Sequence, residues 1–125
     1  MLSIYDSIAQ TKQKFTPVNA GKVGIYVCGM TVYDHCHIGH GRGFVVFDVI
    51  KRYLEVSGYE VTLVRNITDI DDKIINRAKE HNKTYREWAD TYIQSTREDI
   101  AALDILPPDF EPQATDHIPE IIALT

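Results

Sequence analysis

Residues 23–42 read VGIYVCGMTVYDHCHIGHGR, and this stretch decides the fold. It begins with a short apolar run that is rich in β-branched residues and has little polar alternation, which is typical of a strand covered on both faces in a parallel sheet. Cys28 ends that run and Gly29 breaks it. After a loop, two histidines lie among glycines, and a helical pattern begins near Phe44. The stretch therefore predicts a strand that leads through a glycine-bearing turn into a helix.

The turn before this helix is a candidate phosphate site. At such a turn the free backbone amides and the positive end of the helix dipole face the carboxyl edge of the sheet. Gly39 and its neighbouring glycines let a nucleotide come close to the backbone, while His37 and His40 are able to donate hydrogen bonds to oxygens that gain charge in a transition state. A structural alternative stays open, in which the histidines cap the helix or lie in solvent and the glycines only loosen the turn.

The flanking segments complete a strand–helix–strand unit. The first helix is expected from His40 or Gly41 to Ser57, with Gly58 just beyond its end. Its polar stripe at positions 48, 51, 52 and 55 leaves an apolar side to pack on the sheet, at positions 46, 47, 50, 53 and 54. Residues 61–64 predict a second, parallel strand after a right-handed crossover. The strand ends at Cys28 and near Asn66 would then lie side by side, below a ligand crevice.

The remaining segments predict further elements. Upstream, residues 2–8 and 15–18 predict short strands separated by a polar link, the second confined to a sheet edge by Pro17, and residues 19–22 predict a turn. Downstream, we expect helices capped by Thr68, Thr84 and Thr115, the second of them with a capping box to Glu87. The buried side of the first of these helices is expected at positions 70, 74, 75 and 78. The fold class is α/β, a Rossmann-like parallel sheet with flanking helices in an incomplete domain: N-terminal strands in 1–22, a core in 23–82 and a helical extension in 84–125.

Composition limits the possible classes of protein. A chain of 125 residues is one domain's worth, and 44% hydrophobic and 25% charged residues are typical of a soluble globular protein. No apolar run approaches a membrane span and residues 1–15 lack a signal-peptide layout, so we expect a cytoplasmic protein with no membrane partner. The net charge of −5 argues against a basic nucleic-acid platform. Two cysteines are too few for a disulfide framework and are expected as free thiols or metal ligands.

Two strings resemble a known family. The string CGMTVYDHCHIGHGRGFVVFD at 28–48 resembles the first signature of class I aminoacyl-tRNA synthetases, and within that class of the cysteinyl-tRNA synthetases. Residues 37–40 spell its HIGH motif, and RNITDIDDK at 65–73 resembles a second string of the family. The resemblance runs from about Tyr5 to the last residue and covers only the beginning of a longer family chain. It departs at Met30, where Ile is usual, and at Gly41, where Ala is common.

The resemblance implies a HUP-type nucleotide-binding half and a set of site residues. Cys28 matches the first ligand of a zinc ion that binds the substrate's thiolate, and the other ligands lie outside this chain. Gly29 and Thr68 match positions that border the bound L-cysteine. The positions that hold ATP, which acts with Mg²⁺, and stabilise the transition state are matched by His37, Gly39 and His40.

The implied function is ATP-dependent activation of L-cysteine to cysteinyl-adenylate and its transfer to tRNA(Cys), by a monomer. The chain lacks the family's KMSKS loop, its remaining zinc ligands and its anticodon-binding region, so this piece alone is expected to be inactive. Two alternatives stay open: a cysteine-to-amino-sugar ligase of the kind used in mycothiol synthesis, and a non-catalytic nucleotide-binding fragment.

Several side chains allow more than one interpretation. Cys36 is expected to be a buried structural thiol, with a local zinc cluster of His35, Cys36, His37 and His40 as the less favoured reading. An acidic trio at positions 69, 71 and 72 is expected to be solvated and favoured by a helix dipole, with Mg²⁺ binding as the alternative. Arg42 can meet a phosphate or form a salt bridge.

Overall fold

The computed structural model describes residues 2–125 and has an α/β arrangement. Met1, the first residue of the predicted N-terminal segment, lies outside the described residues. A short 3₁₀ turn at Ala114–His117 precedes the last helix. The elements in chain order are β1 (Ser3–Asp6), β2 (Thr11–Lys14), β3 (Lys22–Val27), α1 (Ile38–Val56), β4 (Glu60–Arg65), α2 (Asp72–Glu80), α3 (Tyr85–Ala102) and α4 (Ile118–Leu124).

Strands β1 and β2 form an antiparallel hairpin in which Ser3 lies opposite Lys14. The predicted strand at 15–18 is wrong, because the polar link before it forms β2 instead. The turn explains the shift: the Asp6 carboxylate accepts a hydrogen bond of 2.8 Å from the amide of Ile8 and reverses the chain early. All four residues of β2 are exposed, so backbone pairing rather than apolar burial places this strand.

Strands β3 and β4 pair in parallel, with Val23 opposite Val61 and Val27 opposite Arg65. Helix α1 connects them, which confirms the predicted strand–helix–strand unit. The prediction that β3 is covered on both faces is wrong for the described residues. Val23 and Val27 are buried on one face, whereas Tyr26 on the other is 65% exposed. An apolar run marks a strand but does not say whether the covering elements lie within the same stretch of chain.

A third segment, residues 109–114, runs in parallel beside β4. The amide of Arg65 donates to the carbonyl of Phe110 (3.0 Å), and the amide of Ile67 donates to the carbonyl of Pro112 (2.8 Å). The amino-acid pattern predicts no strand here, because two prolines precede the segment and its side chains do not alternate. The parallel sheet is therefore extended on the β4 side by a short segment that follows α3.

The polar stripe of α1 faces this C-terminal segment. Lys51 is only 6% exposed, and its ammonium lies 2.8 Å from the carboxylate of Asp109, which also accepts the amide of Leu63 (2.7 Å). That amide, together with the ammonium, lowers the pKa of Asp109. Asp48 accepts the amide of Leu106 at 3.0 Å. The stripe is thus covered by polar partners from a distant part of the chain.

The expected packing face of α1 is correct only in part. Phe44 and Leu54 are buried, but Val46, Ile50 and Tyr53 are exposed. Helical periodicity correctly separates the polar from the apolar positions, but it cannot show which side finds a partner within these residues. The helix begins at Ile38, slightly before the predicted start, and Gly58 follows its end with φ of +92°, as predicted.

Two of the three predicted threonine caps are wrong. The N-cap of α2 is Asp71, which accepts from the amide of Lys73, while Thr68 continues the sheet edge in a parallel bridge with Thr31. Thr115 lies within the 3₁₀ turn and donates its hydroxyl to the buried carboxylate of Asp69. Asp71 therefore replaces Thr68 as the N-cap of α2, and the Thr115 hydroxyl is bonded to Asp69 and does not cap α4. The third prediction is confirmed by α3, whose capping box joins Thr84 and Glu87.

Helices α2 and α3 pack together below the loop that follows β3. The larger buried cluster consists of Val32, Ile67, Ile74, Ala78, Trp88, Ala89 and Ile93. A smaller one joins α1, α3 and the segment after α3 through Phe44, Ile100 and Ile105. Among residues 2–125, no helix combines the length and apolar character that crossing a bilayer requires.

The carboxyl ends of β3 and β4 lie side by side, as predicted. The amide of Gly29 donates to the side-chain oxygen of Asn66 at 2.8 Å. A β-carbon at position 29 would overlap the carbonyl oxygen of Asn66 and lie 2.9 Å from its carbonyl carbon. Glycine is therefore required here by the closeness of two backbones, a reason that sequence alone did not reveal.

We predict that Gly29→Ala destabilises the protein by at least about 3 kcal/mol, because the added methyl group must push the two strand ends apart. Thermal and urea unfolding followed by circular dichroism measure this change. Gly24→Ala is the matched control within β3, at a position where an added β-carbon has no heavy atom within 4 Å. Equal stability of the two variants would contradict the close approach.

Candidate functional site

A cavity of about 410 Å³ opens where β3 ends and α1 begins. Four of the residues singled out from the sequence line it: Cys28, Gly29, Gly39 and His40. Gly43, one turn further along α1, also lines the wall. The strand end thus brings a thiol, and the helix start an imidazole, to one hollow at the carboxyl edge of the parallel sheet, where ligands of open α/β sheets bind.

The two histidines cap the helix with their own rings. Nδ1 of His37 accepts the amide of Gly39 (3.1 Å), and Nδ1 of His40 accepts the amide of His37 (3.3 Å). The rings stack with centroids 3.8 Å apart. The amide of Gly39 is therefore used within the helix start, which differs from the expectation of free amides at this turn.

This capping fixes which ring nitrogen carries the proton. A nitrogen that accepts an amide hydrogen must itself be unprotonated, so the N–H of each neutral ring lies on Nε2. The structural and chemical interpretations of the histidines are therefore compatible. Nδ1 of His37 and of His40 serves the helix, and Nε2 of each remains a hydrogen-bond donor.

The surroundings keep His40 neutral. Burial, and next the nearby His37, lower the pKa of His40 from its ordinary value of 6.5. The ring is therefore a neutral donor at pH 7. A neutral Nε2–H group donates to phosphate oxygens without first having to lose or gain a proton.

Cys28 presents an exposed thiol at the strand end. Its sulfur lies 3.5 Å from the carbonyl oxygen of Gly29. A thiolate at this place suits zinc, but within residues 2–125 no group of three or more His, Cys, Asp or Glu side chains is arranged to hold a metal ion. The described residues therefore fit a zinc site only as one ligand of a larger set.

Two other candidates lie beside the cavity rather than in its wall. Thr68 is joined to the lining residue Thr31 by a parallel bridge. His37 lines a neighbouring pocket of about 280 Å³, together with Cys36 and Leu103, and reaches the cavity through its stacking on His40.

The structure adds lining residues that sequence reasoning missed. Lys73 and Tyr33 both line the cavity, and the Lys73 ammonium lies 5.1 Å from the centre of the Tyr33 ring. Lys73 is the one side chain in the lining with a permanent charge. Lys73 is the last residue of the RNITDIDDK string, so the family resemblance already includes this position. The acidic residues of that string suggest ligands from the sequence, whereas Lys73 does not. A cation here favours an anionic ligand.

The less favoured metal readings find no support in the described side chains. Nδ1 of His35 lies 2.9 Å from the Ser95 hydroxyl, and the thiol of Cys36 lies 3.5 Å from the sulfur of Met30. The acidic trio is divided, because Asp69 is buried against Thr115 while Asp71 caps α2. The expectation of a solvated trio is therefore wrong for Asp69.

Two candidate side chains remain, the thiol of Cys36 and the guanidinium of Arg42. Cys36 is half-buried, and burial, and next the charge of Asp99, raise the pKa of its thiol, as expected for a structural cysteine. Arg42 is exposed on the first turns of α1. Of its two predicted roles, a salt bridge is not formed within the part of the chain that the structure describes.

Comparison with known proteins gives a consistent result. Residues 14–125 match the family described as tRNA synthetases class I (C) catalytic domain. The chain is 56% identical over 124 residues to the cysteine–tRNA ligase of Erwinia tasmaniensis and 57% identical over 124 residues to that of Methylobacillus flagellatus. Each alignment covers 99% of this chain, which spans 27% of the length of those relatives.

A solved structure shows a similar fold. It is the agnB2 LeuRS of Agrobacterium radiobacter K84, in a ternary complex with tRNA and LeuAMS. The TM-score is 0.64 at 22% identity, and the match covers 78% of this chain and 13% of that one. At this identity the likeness concerns the arrangement of strands and helices alone.

We predict that His40 titrates below pH 6.5 in the folded protein and that His37→Asn moves its midpoint upward, though not beyond 6.5, because burial remains while the neighbouring charge is removed. Asparagine is a good N-cap, so this variant keeps the helix start. Histidine ring signals followed by NMR against pH measure the midpoint.

The lowered pKa of His40 also makes the stability of the folded protein depend on pH. Folding lowers the pKa of His40, so its contribution is complete above pH 6.5 and is lost as the pH falls through the lowered pKa. A midpoint at or above 6.5 in the unmodified protein would contradict the capped, partly buried ring.

Proposed function

The chain belongs to the family of class I (C) tRNA synthetase catalytic domains, and we propose that it is the N-terminal part of an enzyme that joins L-cysteine to ATP as cysteinyl-adenylate and transfers the cysteinyl group to tRNA(Cys). Relatives that are 56–57% identical over nearly the whole chain, all named cysteine–tRNA ligase, support this substrate. The proposal concerns the whole protein, because the chain spans 27% of those relatives.

One observation carries the proposal: the thiol of Cys28 and the imidazole of His40 line the same cavity at the carboxyl end of β3. A thiol, or a metal held by it, recognises a sulfur-containing substrate. An Nε2–H donor recognises phosphate oxygens. The two proposed substrates, cysteine and ATP, thus have matching groups in the wall of one cavity.

The reaction needs charge stabilisation more than covalent chemistry. In the proposed step the carboxylate of L-cysteine attacks the α-phosphorus of ATP, the bond from that phosphorus to the pyrophosphate oxygen breaks, and a mixed anhydride forms. Negative charge grows on the α-phosphate oxygens, and His40 donates to them, with His37 stacked against it. Because Nδ1 of each ring is fixed by an amide, the donors are oriented before the substrates arrive.

The family resemblance implies zinc, and Cys28 fits it as one thiolate ligand. We propose that the other ligands come from residues outside this chain. When bound, zinc separates cysteine from serine by its preference for sulfur, which exceeds what the shape of a pocket achieves. Gly29 and Thr68 would border the substrate, and the backbone of Gly29 is held in place by Asn66.

The exposed apolar surface supports the proposal that this is an incomplete Rossmann-like domain, the HUP-type nucleotide-binding half. Six apolar side chains between Val45 and Val56 of α1 are exposed, in addition to Ile38 at the start of that helix and Tyr26 on β3. They are Val45, Val46, Val49, Ile50, Tyr53 and Val56. Monomers rarely expose contiguous apolar surface of this kind, so we propose that the rest of the same polypeptide covers it in a cytoplasmic, monomeric enzyme.

We predict that His40→Ala in the complete protein lowers the rate of cysteine-dependent exchange between ATP and pyrophosphate by about 10² to 10³-fold, because one preorganised donor to the α-phosphate is lost. Zinc content stays unchanged. The matched control is His117→Ala in the exposed 3₁₀ turn, which keeps the rate. Near-normal exchange by the folded His40→Ala protein would count heavily against the assignment.

We also predict that Cys28→Ser lowers the zinc content of the complete protein and its preference for cysteine over serine in the same exchange reaction, because a hydroxyl is a poor replacement for a thiolate ligand. Elemental analysis measures the metal. Cys36→Ser is the matched control, since the sulfur of Cys36 lies against Met30, and it keeps the zinc. A full complement of zinc in Cys28→Ser would refute the ligand role.

A further inference from the structure

Positive charge is concentrated in the hairpin formed by α2 and the first turn of α3. Residues 73–86 contain five Lys or Arg and one acidic residue, Glu80. The other 111 residues hold eight basic and seventeen acidic residues, a net charge of −9. The overall charge of −5 therefore hides one basic region on an otherwise acidic chain, a region formed by Lys73, Arg77, Lys79, Lys83 and Arg86.

The turn between the two helices brings the central lysines to one place. The amide of Asn82 donates to the carbonyl of Lys79 (3.2 Å), and the amide of Lys83 donates to the carbonyl of Ala78 (2.9 Å). Asn82 has φ of +54°, the left-handed conformation that reverses the chain at a helix end. Lys79 and Lys83 therefore flank a single tight turn, and both are exposed.

Three cations of this region lie outside the close ion pairs of the described residues. Lys79, Lys83 and Arg86 form no salt bridge within residues 2–125. The Lys83 ammonium lies 5.8 Å from the centre of the Trp88 ring, and Arg86 donates to the hydroxyl of Thr115 (3.3 Å). Both of these partners are uncharged, and the Glu87 carboxylate, whose pKa is lowered by its hydrogen bonds from Thr84 and further by the nearby Lys83 ammonium, forms no salt bridge with that ammonium. Each of the three cations is therefore open to contact with an outside anion.

The carboxylates near the turn have hydrogen-bond or ion-pair partners other than Lys79 and Lys83. Glu80 lies 3.6 Å from a guanidinium nitrogen of Arg77. Glu87 accepts the amide and the hydroxyl of Thr84 in the capping box of α3. Asp71 caps the far end of α2. The surface at the turn is thus basic by arrangement as well as by composition.

We propose that the α2–α3 turn, through Lys79 and Lys83 with Arg86 beside them, binds the phosphate backbone of tRNA. This rests on the proposed function, which supplies tRNA as the polyanion that must approach the cavity. Exposed lysines without carboxylate partners bind phosphates by releasing counterions, and they read no bases. The acidic remainder of the chain repels RNA, so that the strand is directed to this one region.

The distance from the turn to the cavity suits this role. Lys73 at the start of α2 lines the cavity, and Lys79 lies six residues further along the same helix. At 1.5 Å per residue the two positions are about 9 Å apart along the axis. The turn and the cavity wall are therefore close enough for a single RNA strand to contact both.

The test compares two double variants of the complete enzyme with equal loss of charge. Lys79→Ala with Lys83→Ala removes the proposed contacts, whereas Lys12→Ala with Lys14→Ala removes two exposed lysines from β2. The equilibrium binding of tRNA(Cys) transcript is measured at several salt concentrations from about 50 to about 300 mM. The loss of one phosphate contact changes the slope of log K against log salt by about 0.9, and this range resolves such a change. The tRNA-independent exchange of ATP and pyrophosphate is measured in parallel.

We expect the Lys79/Lys83 variant to bind tRNA about fivefold more weakly for each lost contact at 0.15 M salt and to show a shallower salt slope. The Lys12/Lys14 variant binds normally. Lys79→Arg with Lys83→Arg restores binding, because it keeps the charge. Exchange is unchanged in all variants.

Unchanged tRNA affinity and an unchanged salt slope in the Lys79/Lys83 variant would overturn the inference. Normal exchange of ATP and pyrophosphate in that variant would leave the proposed function intact. An equal loss of binding in both double variants would also overturn it, because only net charge would then matter. Absence of cysteine-dependent exchange in the unmodified enzyme would instead reject the proposed function.

Discussion

The close approach of Gly29 to the Asn66 peptide is the constraint on which the site depends. It joins the carboxyl ends of two parallel strands without room for a side chain between them, and the Asn66 amide group fixes the Gly29 backbone by a hydrogen bond. Cys28 immediately precedes this junction and is turned outward with an exposed thiol. The thiol's position relative to the start of α1 is therefore set by backbone geometry, which is more rigid than any side-chain contact.

The second requirement is that the C-terminal segment holds the sheet and α1 together through paired charges. Lys51 and Arg65 are both buried, and their carboxylate partners, Asp109 and Glu111, come from residues that follow α3. Removing one partner of a buried pair costs about 3–5 kcal/mol, although the partial exposure of Asp109 reduces the figure for Lys51. Such pairs do not add much net stability over apolar packing, but they allow only one register for the segment beside β4.

Sequence reasoning succeeded where the determinant was local. The apolar runs of β3 and β4, the capping box at Thr84 and the glycine after α1 each depend on neighbours within a few residues, and each was predicted correctly. The resemblance of the HIGH string identified the cavity wall at His40. The presence of Lys73 in that wall was missed because its position depends on α2 packing beside the loop that carries Tyr33.

Three of the failures have a common physical cause, which is long-range pairing. The inward-facing Lys51, the Asp69–Thr115 contact and the parallel segment at 109–114 each join residues more than 40 positions apart. A periodicity of 3.6 or 2 residues carries no information about such partners. The failed cap at Thr68 has a local cause instead, because spacing alone cannot show that Asp71 competes for the same helix start.

The histidine caps restrict the chemistry of the site in one further way. In each ring the only lone pair available for bonding is on Nδ1, and that lone pair is committed to a backbone amide. Neither ring is therefore free to act as a nucleophile or as a base unless its cap hydrogen bond is first broken. A phosphorylated or acylated histidine intermediate is accordingly disfavoured, and the pair is specialised for donation alone.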